Sequence, residues 1–345
     1  MRISMPLQYA GDPKDAADRL AGLEKAGLDT VWVAEAYGYD SPTLMGYIAA
    51  RTERVRIGSA ILPLYSRTPA LIAQTAAGLD HLSDGRAVLG LGASGPQVIE
   101  GWHGVPYTKP LARTREVVEI CRKVWARQEP VTHDGAVFTL PLPPDQGTGL
   151  GKPLKLINHP VRASIPVYVA SLGEKNVELT AEIADGWLPH LFIPEKAQEI
   201  WGGALERGAA KRTPGLGPLE ISAGGMLAIG EDEDTRKLAD FSRPMIALYV
   251  GGMGAKGKNF YNTLMRRYGY EEAADKIQDL YLAGRKDEAA AAVPAEVVEL
   301  TNLVGPESHV RERVAAFRAA GVTHLNVIPV GDDPVKLIEK LRGWL

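Results

Sequence analysis

Short apolar runs alternate with longer amphipathic segments along most of the chain. Runs rich in β-branched and aromatic residues predict strands, and the segments between them have the apolar spacing of helices. The predicted strands cover residues 2–7, 30–35, 56–62, 87–92, 166–170, 186–189, 219–229 and 323–328. The predicted helices cover residues 13–27, 41–52, 68–82, 113–126, 175–184, 194–211 and a last segment from Pro334.

This alternation predicts an α/β fold with a parallel sheet covered by helices. Eight strands at nearly even spacing favour a closed (β/α)8 TIM barrel over the alternative, an open doubly wound sheet. We therefore expect one domain over residues 1–345. Two segments, 129–164 and 242–305, break the alternation and are interpreted as insertions. The first is expected to be an ordered loop over one end of the barrel.

Charge and cysteine content narrow the classes of function. The chain has 39 Lys and Arg against 42 Asp and Glu, a net charge of -3, which favours neither nucleic acid nor a membrane as partner. The single cysteine, Cys121, excludes an internal disulfide and a site with several thiolates. No signal peptide or membrane-spanning apolar run is recognisable, so we expect a cytoplasmic protein.

The carboxyl ends of the strands are the expected place for an active site in such a barrel. Strand one ends near Gln8, strand two at Glu35 and strand six at His190. Glu35 follows an apolar strand, which allows two interpretations. It is either a buried carboxylate with a raised pKa, or part of an ion pair or helix cap at the barrel rim.

Two turns contain glycines that suit a bound ligand. A GxGxxG spacing begins at Gly90, but Pro96 and the polar stretch after it do not open the helix of a dinucleotide site. We expect these glycines to let a strand end approach a flat ligand. The turn at 170–175 precedes a helix and offers backbone N–H groups to a phosphate, with Lys175 adding charge. A plain strand-to-helix turn is the alternative.

The histidines indicate acid–base chemistry rather than a metal site. None of the seven shows HxxxH or HExxH spacing, so no metal is expected. His103 lies on the loop after strand four, where an imidazole is suited to proton transfer. A merely exposed loop histidine is the alternative.

Several stretches together resemble the luciferase-like flavin and deazaflavin oxidoreductases. The most specific are TAAGLDHLSDGR at 75–86, the GLG that follows at 90–92, and AEIADGW at 181–187. The segment GASGPQVIEGWHGVPY at 92–107 is similar to actinobacterial members classed as coenzyme F420-dependent. The order and spacing of the motifs match over nearly the whole chain.

The resemblance implies a bacterial luciferase-like (β/α)8 barrel with insertions, a homodimer, and coenzyme F420 as cofactor, with FMN as the alternative. It also implies a non-prolyl cis peptide bond between Ala60 and Ile61. The implied cofactor-binding residues are Ser59, Ala60, Ile61 and Leu62 after strand three, Gly92, Ala93 and Ser94 after strand four, and Ala170, Ser171, Leu172, Gly173 and Lys175 at the phosphate turn.

The proton donor is the point at which this chain departs from the resemblance. Glu35 matches an acidic residue at the end of strand two, but the next position, a histidine in many deazaflavin relatives, is Ala36. His103, Glu35 and Glu100 are therefore the predicted catalytic residues.

The predicted function is hydride transfer between the reduced deazaflavin and a small organic substrate. An FMN-dependent monooxygenase and a non-catalytic flavin-binding barrel are the alternatives. The deazaflavin continues past its phosphate into an anionic tail, which Lys175, Lys152 and Lys155 are expected to attract. Ordinary surface lysines are the other interpretation.

Overall fold

Eight short parallel strands close into a barrel, which confirms the predicted (β/α)8 fold. The computed structural model describes residues 1–7, 12–331 and 333–345, so the predicted end of strand one, Gln8, lies outside the described residues. The barrel strands are β1 (Arg2–Leu7), β2 (Thr30–Val33), β3 (Arg56–Ser59), β4 (Ala87–Gly92), β5 (Val167–Val169), β6 (Gly186–Trp187), β7 (Glu220–Ala223) and β8 (His324–Asn326). They pair in chain order, and β8 pairs with β1.

Helices follow the strands and form the outer layer of the barrel. They are Pro13–Asp18, Leu20–Ala26, Ser41–Arg51, Pro69–Leu82, Pro110–Ala126, Glu174–Ile183, Pro194–Ala210, Glu307–Ala319 and Pro334–Arg342. The first predicted helix is divided at Arg19, and a short extra helix, Pro96–Gly101, follows β4. In the described part of the chain, none of the helices has the length and apolar character that a membrane span requires.

The predicted seventh strand divides at a Gly-Gly pair into β7 and a second strand, Met226–Ile229. A Cβ at Gly225 would lie 2.0 Å from the carbonyl oxygen of Thr301, so only glycine permits this backbone approach. The second strand pairs with Leu303–Gly305 and Ile328–Pro329 in a separate parallel sheet.

Two large aromatic side chains fill the barrel interior. Trp32 of β2 and Tyr168 of β5 have ring centroids 5.2 Å apart, and they form an apolar cluster with Val88. A Cβ at Gly58 would lie 2.2 Å from the Trp32 ring, and one at Gly186 would lie 2.2 Å from the Tyr168 ring. The interior is therefore a packed core, as in other barrels of this kind.

Charged side chains close the amino-terminal end of the barrel. Glu220 pairs with Arg2 at 3.1 Å and with Arg56 at 3.7 Å, and it accepts a hydrogen bond from the Tyr168 hydroxyl. His324 lies beside this group, and burial lowers its pKa to about 4. We interpret the cluster as structural, because this end of such barrels carries stability rather than catalysis.

The first motif of the family resemblance lies at the same end. Asp80 is buried and accepts hydrogen bonds from the N–H of Ala87 at 3.2 Å and from Nε of Arg162 at 3.0 Å. Arg86 donates to the carbonyl oxygen of Thr52 at 2.9 Å. The motif therefore joins the start of β4 to its neighbouring segments.

Part of the first insertion lies along helix Pro110–Ala126, and the ammonium group of Lys109, just before this helix, donates to the carbonyl oxygen of Ala136 at 2.9 Å. This part forms a short antiparallel hairpin, His133–Asp134 with Thr139–Leu140. The buried carboxylate of Glu116 holds this hairpin by accepting a hydrogen bond from the N–H of Phe138 at 2.8 Å. A buried acceptor on the helix thus binds backbone N–H groups of the loop.

The second insertion is helical and has an apolar cluster of its own. Its helices are Arg243–Ala247, the π-helical turn Leu248–Gly252, Phe260–Arg267, Glu271–Leu282, Lys286–Ala291 and Ala295–Thr301. The cluster includes Val250, Ile277 and Val297. The hydroxyl of Tyr268 donates to the carbonyl oxygen of Leu191 at 2.8 Å, which attaches the insertion to the segment after β6.

We predict that Asp80→Ala destabilises the fold by about 3 kcal/mol, because it leaves Arg162 without its buried partner and the N–H of Ala87 without its acceptor. The midpoint of urea unfolding measures the loss. Asp145→Ala, which removes an exposed carboxylate, is the matched control and should leave the midpoint unchanged. Equal midpoints for the two variants would contradict the structural role of the motif.

Candidate active site

The carboxyl ends of β3, β4 and β5 bring three of the predicted cofactor-binding segments into contact. A Cβ at Gly92 would lie 2.6 Å from Cδ1 of Ile61 and 3.5 Å from Cβ of Ala170. Ala60 packs on the aromatic cluster of the barrel interior, and the Ala60–Ile61 peptide bond is cis, as predicted. Ala60, Ile61 and Ala170 are partly exposed. We call these four residues the floor, and their small apolar surface suits the approach of a flat ring.

Ser59 and Leu62, which were also predicted to bind the cofactor, support the floor from inside the protein. The Ser59 hydroxyl donates to the carbonyl oxygen of Gly90 at 2.8 Å and accepts from its N–H at 2.9 Å. A Cβ at Gly90 would lie 1.8 Å from the Ser59 carbonyl oxygen, so the close contact of β3 and β4 requires glycine. Leu62 is buried in the main core. Both residues thus position the floor.

Ala93 and Ser94 lead from β4 into a loop at the edge of the floor. Ser94 has a φ of 58°, and both residues are partly exposed. The Tyr107 hydroxyl donates to the carbonyl oxygen of Ser94 at 3.4 Å, and its ring stacks on Tyr65 with centroids 5.1 Å apart. Burial raises the pKa of Tyr107 to about 12, so its hydroxyl stays a neutral donor. The loop is therefore held in place by a neutral aromatic pair.

Side chains from later in the sequence hold the predicted phosphate turn. The indole N–H of Trp187 donates to the carbonyl oxygen of Ser171 at 2.9 Å, and that of Trp201 donates to the carbonyl oxygen of Leu172 at 3.0 Å. The Ser171 hydroxyl is buried, 2.8 Å from that of Thr180. These contacts direct the carbonyl oxygens of the turn into the protein, away from the start of the next helix.

Helix Glu174–Ile183 begins at Gly173 with N–H groups that have no acceptor. Gly173 is the N-cap and has an extended backbone, and a Cβ placed there would meet nothing within 4 Å. Within the described ranges, no acceptor bonds the N–H groups of Glu174 and Lys175. The start of a helix binds anions through such groups. A phosphate therefore fits this turn.

Lys155, one of the two loop lysines predicted to attract the anionic tail of the cofactor, lies away from the phosphate turn. Its ammonium group donates to the carbonyl oxygen of Gln128 at 2.7 Å, just past the end of helix Pro110–Ala126. That helix runs back from the carboxyl end of the barrel to the amino-terminal end. The expectation for Lys155 is therefore wrong, while Lys152 is exposed on the same loop.

Glu35 forms a buried ion pair at the barrel rim, as in the second of the two interpretations given above for this residue. Arg67 donates to both carboxylate oxygens, at 2.5 and 2.9 Å, and the two side chains are 7% and 15% exposed for Glu35 and Arg67. The N–H of Ser41, at the start of the next helix, donates to Oε2 at 2.8 Å. With both oxygens engaged, Glu35 joins the loops after β2 and β3 at the barrel rim.

The other two catalytic candidates belong to the segment around helix Pro96–Gly101. Glu100 is exposed and accepts a hydrogen bond from the N–H of Tyr107 at 3.1 Å. His103 follows the helix, and its Nε2 is buried without a hydrogen-bond partner. In the part of the chain that the structure describes, no hydrogen bond or ion pair joins Glu35, Glu100 and His103. His103 is thus the candidate with an unengaged polar atom.

A comparison with known families shows which family the chain belongs to. Residues 1–324 match the family model described as luciferase-like monooxygenase. The chain belongs to this family. The resemblance seen in the sequence motifs is thereby confirmed.

Relatives of this luciferase-like chain include a protein of Mycobacterium tuberculosis provisionally named a coenzyme F420-dependent oxidoreductase. It is 45% identical over 344 residues, which cover 97% of each chain. A 5,10-methylenetetrahydromethanopterin reductase of Archaeoglobus fulgidus is 28% identical and covers 92% of this chain and 90% of its own.

Solved structures of the same fold include the coenzyme F420-dependent tetrahydromethanopterin reductase of Methanopyrus kandleri. Its TM-score is 0.78 at 23% identity, over 98% of this chain and 96% of that one. An F420-dependent secondary alcohol dehydrogenase in complex with an F420–acetone adduct has a TM-score of 0.76 at 20% identity, over 99% and 98%. At this identity the likeness concerns the fold.

We predict that Glu35 and Arg67 stabilise the rim as a unit. Glu35→Gln and Arg67→Ala should each lower the free energy of unfolding, and the double variant should lose little more than either single one. The expected coupling energy is on the order of 1–3 kcal/mol, measured by urea unfolding in a double-mutant cycle. Additive losses would show that the two side chains act independently.

Proposed function

We propose that this protein is a coenzyme F420-dependent oxidoreductase that transfers a hydride between the reduced deazaflavin and a small organic substrate. The observation that carries the proposal is the 45% identity, over 97% of the chain, to the Mycobacterium tuberculosis protein provisionally named a coenzyme F420-dependent oxidoreductase. A homodimer and a cytoplasmic location stay predictions from the sequence.

The described residues fit the cofactor at two points. The N–H groups of Glu174 and Lys175, which have no acceptor among the described residues, would hold its phosphate. The floor of Ala60, Ile61, Gly92 and Ala170 would support its flat ring, because these residues bring apolar groups together at the ends of three neighbouring strands. When bound, the deazaflavin supplies a carbon that exchanges hydride and does not readily activate oxygen.

The remaining tasks fall to the chain's own side chains. The packed interior below the floor excludes water from that side, since Trp32 and Tyr168 fill it. A reduction of a C=O or C=C group also needs a proton. We propose His103 as the group that holds this proton at Nε2, because that atom is buried and has no other partner among the described residues.

Gly173→Asp tests the phosphate turn. Aspartate is among the best N-cap residues, and the backbone at Gly173 is extended with open space for a Cβ, so we expect the fold to stay intact. The new carboxylate would occupy the N–H groups and repel the phosphate. Fluorescence titration should show F420 binding at least tenfold weaker.

Gly217→Asp is the matched control for this substitution. Gly217 is exposed, and a Cβ placed there also meets nothing within 4 Å, but it lies on the loop before β7 at the other end of the barrel. F420 affinity should equal that of the unmodified protein. Unchanged affinity in Gly173→Asp as well would place the phosphate elsewhere.

We predict tighter binding of F420 than of FMN, with the difference shrinking at high salt. The two cofactors share a ribityl phosphate, and the deazaflavin adds an anionic tail beyond it. Lys175, exposed at the phosphate turn, would attract that tail through a field that salt screens. Titrations of both cofactors at low and high ionic strength measure the effect. Tightly held FMN after purification, or oxygen consumption with reduced FMN, would favour the monooxygenase alternative.

A further inference from the structure

His190 lies at the carboxyl end of the barrel, just after β6. Two residues before it, Leu188 packs on the aromatic cluster inside the barrel and lies 3.4 Å from the Cβ position of Gly90. His190 itself lies three residues past Trp187, where β6 ends at the carboxyl end of the barrel. Ala60 of the floor packs on the same cluster. The histidine therefore belongs to the same end of the barrel as the proposed ring site.

Two tyrosines of the second insertion pack against this histidine. The imidazole centroid lies 4.1 Å from the Tyr249 ring and 5.8 Å from the Tyr261 ring, and the tyrosine rings are 4.7 Å apart. Tyr249 lies in the π-helical turn Leu248–Gly252, a conformation that is frequent at functional sites. Asn259 holds this turn by donating to the carbonyl oxygen of Tyr249 at 2.9 Å.

One polar atom of the imidazole of His190 is buried and lacks a partner among the described residues. Nε2 of His190 has no hydrogen-bond partner within the described residues. Burial is the cause that lowers the pKa of His190 to about 4, and no charged group contributes, so the ring is neutral near pH 7. Burial also raises the pKa of Tyr261 above its ordinary value. Buried polar atoms in native proteins are almost always bonded, and a ligand would supply the missing partner here.

We propose that His190, Tyr249 and Tyr261 form a substrate-binding wall, and that Nε2 of His190 forms a hydrogen bond with an uncharged oxygen of the substrate. The substrate class is then a ketone, aldehyde or alcohol on a flat or apolar body. A carboxylate or phosphate would lose its hydration at this wall without gaining a charged partner from His190. The inference rests on the proposed function, for which it makes His190 a specificity-determining residue.

NMR spectroscopy of protein labelled with ¹⁵N-histidine tests the wall directly. Cyclohexanone and cyclohexanecarboxylate are the probes, because they share a ring and differ in charge. We expect cyclohexanone to shift the ring signals of His190, which are assigned by their loss in His190→Gln. Cyclohexanecarboxylate should leave them in place. The titration needs no cofactor, so its result is separate from whether F420 binds.

Variants at this position separate the hydrogen bond from ring packing. His190→Phe keeps a ring beside Tyr249 and loses the polar nitrogen, so cyclohexanone should bind about tenfold weaker, as followed by the amide signal of Leu188. His190→Gln keeps a side-chain donor and should lose less. His81→Gln, on an exposed histidine at the end of helix Pro69–Leu82, should bind as the unmodified protein does.

Unfolding midpoints and F420 affinities are measured for all three variants and are expected to stay unchanged. Failure of the unmodified protein to bind F420 would count against the proposed function, and not against the substrate-binding wall. Undiminished cyclohexanone binding in His190→Phe would overturn the wall. Equal shifts of the His190 signals by the carboxylate would overturn the inference that the substrate is uncharged.

Discussion

The close packing of strands at glycine positions is the constraint on which the rest of this barrel depends. Glycine at 58 and 186 makes room for the rings of Trp32 and Tyr168 inside the barrel, and glycine at 90 lets β4 touch the backbone of β3. The rings fill the barrel interior, so the carboxyl end of the barrel is where this fold offers a ligand site. The contact between Gly90 and the backbone of Ser59 then determines where the floor lies at the carboxyl end of the barrel.

The fold could be predicted because its signals are local. Each strand and helix is marked by the apolar period of its own residues, and eight repeats of that pattern indicate closure. The division of strand seven could not be predicted in this way. It depends on the approach of Thr301 to Gly225, two residues that are far apart in the sequence.

The candidate site could be predicted as a set of segments, but not atom by atom. Strand ends meet at one face, so the segments after β3, β4 and β5 were expected together. Whether a side chain faces the ligand depends on strand register. Ser59 was predicted to bind the cofactor, but its hydroxyl points to the carbonyl oxygen of Gly90. Trp201, which holds Leu172, is remote in sequence and carries no motif of its own. The burial of Nε2 of His190 depends on residues that are far away in the sequence, among them Tyr249, and so could not be predicted.

One of the motifs that carry the family resemblance, residues 75–86, lies at the opposite end of the barrel from the residues that would select a substrate. Asp80 and Arg86 join segments at the amino-terminal end, whereas Tyr249 and Tyr261 come from an insertion attached after β6. Similarity in this motif therefore reports on the scaffold. Members can share the barrel while the insertion differs, and with it the molecule that is bound.

The two indole N–H groups at the phosphate turn have a thermodynamic consequence. Trp187 and Trp201 are fully buried, so their hydrogen bonds to Ser171 and Leu172 form when the barrel folds. The loss of conformational entropy in the turn is then part of the folding free energy, and little of it remains to oppose association. An anion that reaches this turn meets backbone amides that are already preorganised, and its affinity is set by electrostatics and desolvation instead of by ordering of the loop.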